Sequence, residues 1–314
     1  MEIKKVCVLG GSGFVGQHVV SRLCERGYEV LVPYRNINRA KHLSVLPAVS
    51  LAEADINDPD ALKSLLRGMD AVINLVGILH EGKRGAFQRA HVELPRKVVE
   101  ACRATGVKRL LHMSAVGVGA DSLSRYQRSK GEGEALVRAA HGADLAVTVF
   151  RPSVIFGPED SFLNLFARLL HWTPIFPLGS PNARMQPVYV GDVAQAFAVS
   201  LNNPATFGQS YELCGPKVYT LQELVEYVAR IKGFKSTVMP LSDGLSSLQA
   251  MLLGLMPVKM LTHDNYLSLK TDAVCGCPFP EVFGIRPAAL EAVAPQYLAA
   301  TELPRFKRFI DEKR

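Results

Sequence analysis

Tyr126 and Lys130, four residues apart in Tyr126-Gln127-Arg128-Ser129-Lys130, pair a phenol with an ammonium group. On a helix, that spacing puts both side chains on one face. A neighbouring cation favours the phenolate, so the pair predicts a Tyr126 pKa lowered from its ordinary value of about 10. A phenol so placed can give or take a proton at a carbonyl oxygen. A second group of residues has no reactive side chains and a different use. Gly10-Gly11-Ser12-Gly13-Phe14-Val15-Gly16 follows the apolar run Val6-Cys7-Val8-Leu9 and leads into the helical pattern Val15, Val19, Val20, Leu23. A strand that turns through glycines into a helix offers free N–H groups and the positive end of the helix dipole to a phosphate. The glycines turn the chain, admit the phosphates and let the helix pack on the strand.

The elements that must carry these residues are legible as a rhythm. Short apolar runs at 5–9, 29–33, 49–54, 71–76, 109–113 and 145–150 alternate with amphipathic segments such as 61–66, 95–104 and 130–140. Alternation of this kind implies a parallel sheet covered on both faces by helices, with ligands beyond the carboxyl ends of the strands. After Gly157-Pro158 prolines become frequent (Pro174, Pro177, Pro181, Pro187), and helical patterns dominate at 192–201 and 221–231. The expected architecture is α/β: a Rossmann-like doubly wound parallel sheet over residues 1–157, then a smaller C-terminal α/β lobe over 158–314 with crossover segments.

The residue after the second strand discriminates between cofactors. Enzymes that take NAD place an acid there for the ribose hydroxyls. This chain reads Val32-Pro33-Tyr34-Arg35-Asn36, with Arg39 and Lys41 behind. The planar fork of Arg35, helped by Arg39, suits a 2′-phosphate. NADP(H) is favoured, with NAD(H) left open. Asn74-Leu75-Val76-Gly77 closes the fourth strand and puts a backbone turn beside the adenosine half. Asp58, before Pro59, reads as a helix N-cap.

With 314 residues, 48% of them hydrophobic, the chain can bury a large core in about two domains. No apolar stretch reaches the roughly 18 residues that span a bilayer; the longest, 162–170 and 248–261, are broken by Asn164, Arg168, Pro257 and Lys259. The first strand starts close to Met1, so no targeting peptide and a cytoplasmic setting are expected. A net charge of +7 suits a phosphate cofactor, an anionic membrane surface or an acidic protein. The basic residues are scattered, apart from small groups such as 305–314, and lack interleaved aromatics, so no nucleic-acid partner is expected. Of six cysteines only Cys275 and Cys277 are close, with no second ligand pair. Reduced thiols and no metal site are the expectation.

Several motifs together carry a family resemblance. They are Gly10 to Gly16, Ser124-Arg125-Tyr126, Lys130-Gly131-Glu132-Gly133-Glu134, and Arg151-Pro152-Ser153-Val154-Ile155-Phe156-Gly157-Pro158-Glu159-Asp160. To these add Phe162-Leu163-Asn164, Pro177-Leu178-Gly179 and Gln186-Pro187-Val188-Tyr189-Val190-Gly191-Asp192-Val193-Ala194. The chain resembles the atypical short-chain dehydrogenase/reductases, a group that includes the NADPH-binding accessory subunit of respiratory complex I and its bacterial relatives. The resemblance implies tightly held NADPH, Asp55 and Ile56 at the adenine, Lys130 on the nicotinamide ribose, and Pro152 and Ser153 by the nicotinamide amide. It also implies a Ser or Thr after the fifth strand to polarise a carbonyl. The chain has His112-Met113-Ser114-Ala115 there, so either Ser114 serves or Ala115 marks a missing donor.

The resulting expectation is an NADPH-dependent oxidoreductase acting on a hydrophobic carbonyl or quinone-related substrate. A non-catalytic NADPH-binding accessory or assembly protein of a membrane-associated respiratory complex, at the inner membrane face, is the alternative that the resemblance implies. A sugar-nucleotide epimerase-like enzyme shares the fold, but Gly117-Val118-Gly119 stands where such enzymes carry a tyrosine-containing turn. Asp160 and Asp192 read as helix caps, and His80, His91 and His112 as structural. The Leu- and Met-rich stretch 246–261 reads as a core helix or as an adaptable apolar surface.

Overall fold

Val6 and Val8 point to one face of the central sheet and Cys7 and Leu9 to the other, all without solvent exposure. Burial on both faces is why these runs are apolar at every position instead of alternating. The computed structural model describes residues 2–254 and 262–299. Its main sheet contains β1 (Lys5–Leu9), β2 (Glu29–Tyr34), β3 (Val49–Glu53), β4 (Ala71–Asn74), β5 (Arg109–Met113), β6 (Ala146–Pro152) and β7 (Ser210–Leu213). All pairings are parallel, in the order β7-β6-β5-β4-β1-β2-β3. The strand order reverses between β1 and β4, which opens a crevice at their carboxyl ends.

Ten helices are used below: α1 (Phe14–Glu25), α2 (Pro59–Leu66), α3 (Leu94–Thr105), α4 (Arg125–Ala139), α5 (Leu163–Trp172), α6 (Val190–Ser200), α7 (Leu221–Lys232), α8 (Asp243–Gly254), α9 (His263–Ser268) and α10 (Leu290–Leu298). α1 and α6 cover one face of the sheet; α2, α3 and α4 cover the other. A separate core, with Leu163, Leu170, Leu224, Val228, Leu290 and Leu298 at its centre, holds the smaller lobe. α7 shows why that lobe is stable locally. Thr220 and Glu223 form a capping box, Gly233 ends the helix in the left-handed conformation, and Leu221, Leu224, Val225 and Val228 are buried on one face. Each of those side chains contributes about 1.5–3 kcal/mol on burial. α6 and β7 come from the second half of the sequence yet rejoin the main sheet, as crossover segments would.

Arg109 pins that return. Its guanidinium is fully buried and donates to Ala146 O (3.1 Å), Thr148 Oγ1 (2.7 Å), Ser200 O (2.9 Å) and Thr206 Oγ1 (2.9 Å). The Phe207 ring covers it at 4.4 Å. No carboxylate is among these partners, and burial pushes the Arg109 pKa down to about 9.

Three expectations need correction. Cys214 and Cys275 form a disulfide across 61 residues, with Cα atoms 6.0 Å apart, where reduced thiols were expected. Folding brings the residue after β7 beside the segment that follows α9, a proximity that cysteine spacing does not encode. Asp192 is no cap, because α6 starts two residues earlier; its carboxylate accepts from Ala288 N at 2.8 Å. The Leu- and Met-rich stretch divides: in α8 Ser246 and Ala250 are buried while Leu248 and Met251 are exposed. Its residues 255–261, like the basic 305–314, lie outside the described residues. Asp58 caps α2 through Asp60 N (2.9 Å), as expected; the N-cap residue of α5 is Phe162, and Asp160, two residues before it, reaches the helix start by accepting from Leu163 N (2.6 Å). Among the described residues no helix is long and apolar enough to cross a membrane.

Candidate functional site

The glycine loop joins β1 to α1 by a tight turn in which Gly13 N donates to Gly10 O at 3.0 Å. Gly10 has φ +81°, a backbone region that disfavours side chains. A Cβ on Gly16 would stand 2.2 Å from Gly10 O, so the helix reaches the turn only without one. No side chain caps α1 and no acidic residue stands in its first turn. The first N–H groups of the helix, around Ser12, Phe14 and Val15, therefore have no carboxylate competing for them, which fits an anionic ligand. That is the fit expected of a dinucleotide pyrophosphate.

Beyond β2, Arg35 and Arg39 are exposed, Arg35 just before and Arg39 within a single helical turn that Asn36 caps through Asn38 N. Beyond β3, Asp55 accepts from Asn57 N (3.0 Å) and Asn57 Nδ2 (2.8 Å). Those bonds, and then the charges of Arg35 and Lys97, hold its carboxyl below the usual range. Ile56 beside it is half-buried. Beyond β4 the buried Asn74 fixes the turn: its Oδ1 accepts from Val76 N (3.2 Å), and its Nδ2 meets His112 Nδ1 (3.2 Å). Leu75 N donates to Leu9 O, tying this turn to the glycine-loop strand. Gly77 follows, where a Cβ would lie 3.8 Å from His91 Nε2 and 3.9 Å from Lys130 Nζ.

The chemistry-bearing residues gather beyond β5. Ser124 caps α4, and Tyr126 and Lys130 lie within that helix, as their spacing predicts. Lys130 is buried, and Nζ donates to Met113 O at 2.6 Å. Desolvation pushes its pKa down to about 8. Ser114, the next residue after Met113, is 3% exposed and its Oγ has no hydrogen-bond partner. An orphaned buried hydroxyl is costly, and a bound ligand is one way to satisfy it. The Tyr126 pKa moves opposite to the expected lowering: burial pushes the phenol up to about 12. Desolvation of the phenolate is the sole cause of the shift, with no offsetting contribution from the Lys130 ammonium. Beyond β6, Val116 N donates to Pro152 O (3.0 Å). Ser153 Oγ is already engaged, donating to Ala273 O (2.6 Å) and accepting from Gln186 N (3.3 Å).

Two neighbours of Tyr126 are more closely involved than the sequence suggests. His91 accepts from Ile78 N at Nε2 (3.1 Å), which leaves the proton on Nδ1, facing Ser129 Oγ (2.9 Å). Ser129 Oγ in turn donates to Tyr126 O (2.9 Å). The His91 ring meets the Tyr126 ring edge-on at 5.4 Å, and Phe87 stacks on His91 at 5.5 Å while also meeting Tyr126 at 6.0 Å. Burial, and then the Lys130 charge, push the His91 pKa down to about 3, so it is neutral. The second neighbour, Asp264, comes from α9 and accepts from Tyr126 N at 3.0 Å. Neither contact leaves a local signal, since the partners lie 38 and 138 residues apart.

All these positions lie along the carboxyl edge of one sheet. The phosphate-type features sit at β1 and β2, Asp55 and Ile56 at β3, and Ser114, Tyr126 and Lys130 at β5 and α4. Known proteins share this plan. A solved NADPH-dependent quinone oxidoreductase from Escherichia coli, complexed with NADPH, superimposes with TM-score 0.74 over 93% of this chain and 99% of its own, at 20% identity. In sequence, the chain is 32% identical over 294 residues to NADH dehydrogenase (ubiquinone) 1 alpha subcomplex subunit 9, mitochondrial, of Rattus norvegicus, covering 90% of this chain and 77% of that one. It is 29% identical over 239 residues to a ceramide reductase of Caulobacter vibrioides, covering 76% and 74%. Residues 6–214 match the NAD dependent epimerase/dehydratase family. The chain belongs to that family, among its atypical short-chain dehydrogenase/reductase relatives.

Proposed function

We propose that the protein is an NADP(H)-dependent oxidoreductase that reduces a hydrophobic carbonyl or quinone-related substrate. The observation that carries this reading is the unpartnered buried Ser114 hydroxyl, one residue from the carbonyl that Lys130 holds and on the same sheet edge as Tyr126. In this reading Gly10 to Gly16 and the start of α1 take the pyrophosphate, and Arg35 with Arg39 the 2′-phosphate. Asp55 and Ile56 flank the adenine, and residues 74–77 line the adenosine side with backbone. Lys130 holds the nicotinamide ribose, and Pro152 with the Ser153 backbone borders the amide. When bound, a reduced nicotinamide supplies hydride to the substrate carbon. Ser114 Oγ donates to the substrate oxygen as it becomes negative, and Tyr126 transfers its phenolic proton to that oxygen. A phenol held near pKa 12 is fully protonated at neutral pH, so the site starts in the state that reduction requires. The Lys130 ammonium stabilises the phenolate left behind.

A second reading, an accessory protein that holds NADPH without turnover and docks on a respiratory complex, is favoured by the 32% identity to a mitochondrial NADH dehydrogenase subunit. The experiment that separates the two is gentle purification followed by mass spectrometry of the released nucleotide. NADPH that exchanges readily supports the reductase. NADPH that survives dialysis at one per chain, on a protein co-purifying with a membrane complex, supports the accessory reading. Recovery of NAD(H) alone overturns the cofactor assignment.

A further inference from the structure

Residues 262–276 run along the carboxyl ends of half the sheet in the order of its strands. Asn265 Nδ2 donates to Leu79 O beyond β4 (3.3 Å). Thr271 packs on Gly117 beyond β5, where an added Cβ would come within 3.1 Å. Ala273 O accepts from Ser153 beyond β6, and Cys275 is bonded to Cys214 beyond β7. This strap thus crosses β4, β5, β6 and β7, the half of the crevice opposite the glycine loop. Its first firm anchor is on α4. Asp264 Oδ1 accepts from Arg125 N (2.7 Å), and Oδ2 accepts from Tyr126 N (3.0 Å) and Ser124 Oγ (2.8 Å).

A helix leaves its first N–H groups without intrahelical acceptors. In α4 the local cap, Ser124, serves only Gln127 N; the N–H groups of Arg125 and Tyr126 are taken by a carboxylate about 140 residues away. A carboxylate there is favoured by the helix dipole and by charge-assisted hydrogen bonds. We infer that Asp264 is a positioning residue: it fixes the backbone of Tyr126, and so the phenol, relative to Lys130 and Ser114, and it couples that placement to the strap. His91 and Phe87 support the ring from beneath, while Asp264 holds the residue from the strap side. The inference rests on the reductase reading only for the chemistry given to Tyr126, since the placement itself is independent of turnover.

The test uses the full-length chain labelled with 3-fluorotyrosine, the Tyr126 fluorine signal being assigned by its loss in Tyr126→Phe. Asp264→Ala and Asp264→Asn should each shift or broaden the Tyr126 signal. Asp272→Asn, a strap variant that loses the ion pair with Arg184 and no bond to α4, should leave it in place. All three should still bind NADPH, because the glycine loop and Arg35 lie at the other half of the sheet. If the alanine variant fails to fold, the asparagine variant gives the same comparison. A Tyr126 signal unmoved in folded Asp264→Asn overturns the inference. A moved signal in a protein that oxidises NADPH with neither menadione nor any long-chain ketone leaves the inference standing and removes the reductase reading instead.

Discussion

Replacing Ser114 with alanine separates a hydroxyl kept for a substrate from one kept for the fold. Ser114 Oγ is buried and unpaired. Burying a hydroxyl without a partner costs roughly 1–3 kcal/mol, so its deletion removes a penalty and orphans nothing. We expect Ser114→Ala to be as stable as the parent or more stable by about 1 kcal/mol in urea denaturation. Ser153 is the control. Its Oγ bonds Ala273 O and Gln186 N, which also bond each other, so Ser153→Ala removes two hydrogen bonds while orphaning neither partner, at a cost of about 1 kcal/mol. Turnover should rank the other way. Losing one donor to a developing oxyanion lowers kcat by about 100–1000-fold, roughly 2.7–4 kcal/mol. Following NADPH absorbance with an accepted carbonyl substrate should show that loss in Ser114→Ala while NADPH affinity is retained. A Ser114→Ala variant that is clearly destabilised, or that turns over like the parent, would refute the reasoning.

Arg35→Ala should weaken NADPH and spare NADH; a lost charge-assisted bond of about 1.5–3 kcal/mol corresponds to about 10–100-fold in Kd by calorimetry. Turnover should fall as pH rises through about 8, because the Lys130 ammonium, whose pKa burial lowers to about 8, is then lost. Between that pH and about 10.5 the unfolded chain keeps a proton that the folded protein has released, so this group makes stability rise with pH; Lys130→Met should abolish both dependences. Arg109→Ala, which leaves four acceptors and a cavity behind, should cost about 3–5 kcal/mol in denaturant titration, and Arg109→Met clearly less.

What the sequence discloses follows from how local each interaction is. The six strands of the first half are legible because burial on both faces makes most of them largely apolar, the edge strand β3 with Ser50 and Glu53 least so, and each lies within two residues of its expected place. Tyr126 and Lys130 share a face because a helix imposes it. By contrast, the Cys214–Cys275 bond, the His91–Ser129 contact and the Asp264 clamp join residues far apart in sequence, and only the assembled fold brings them together. The direction of the Tyr126 pKa was hidden for a related reason. Spacing reveals the ammonium group but not the desolvation that sets the direction. Asp192 shows a smaller limit, since a helix that starts two residues early turns an expected cap into a tertiary contact with Ala288.

The central claim, that this chain reduces a carbonyl through Tyr126, is tested most directly by single-turnover oxidation of bound NADPH. The acceptors are apolar ketones and quinones, and parent is compared with Tyr126→Phe. The account predicts that the parent oxidises NADPH with at least one acceptor, and that Tyr126→Phe binds NADPH equally well but loses the reaction. NADPH that stays reduced with every acceptor, or equal rates in the two proteins, would contradict it.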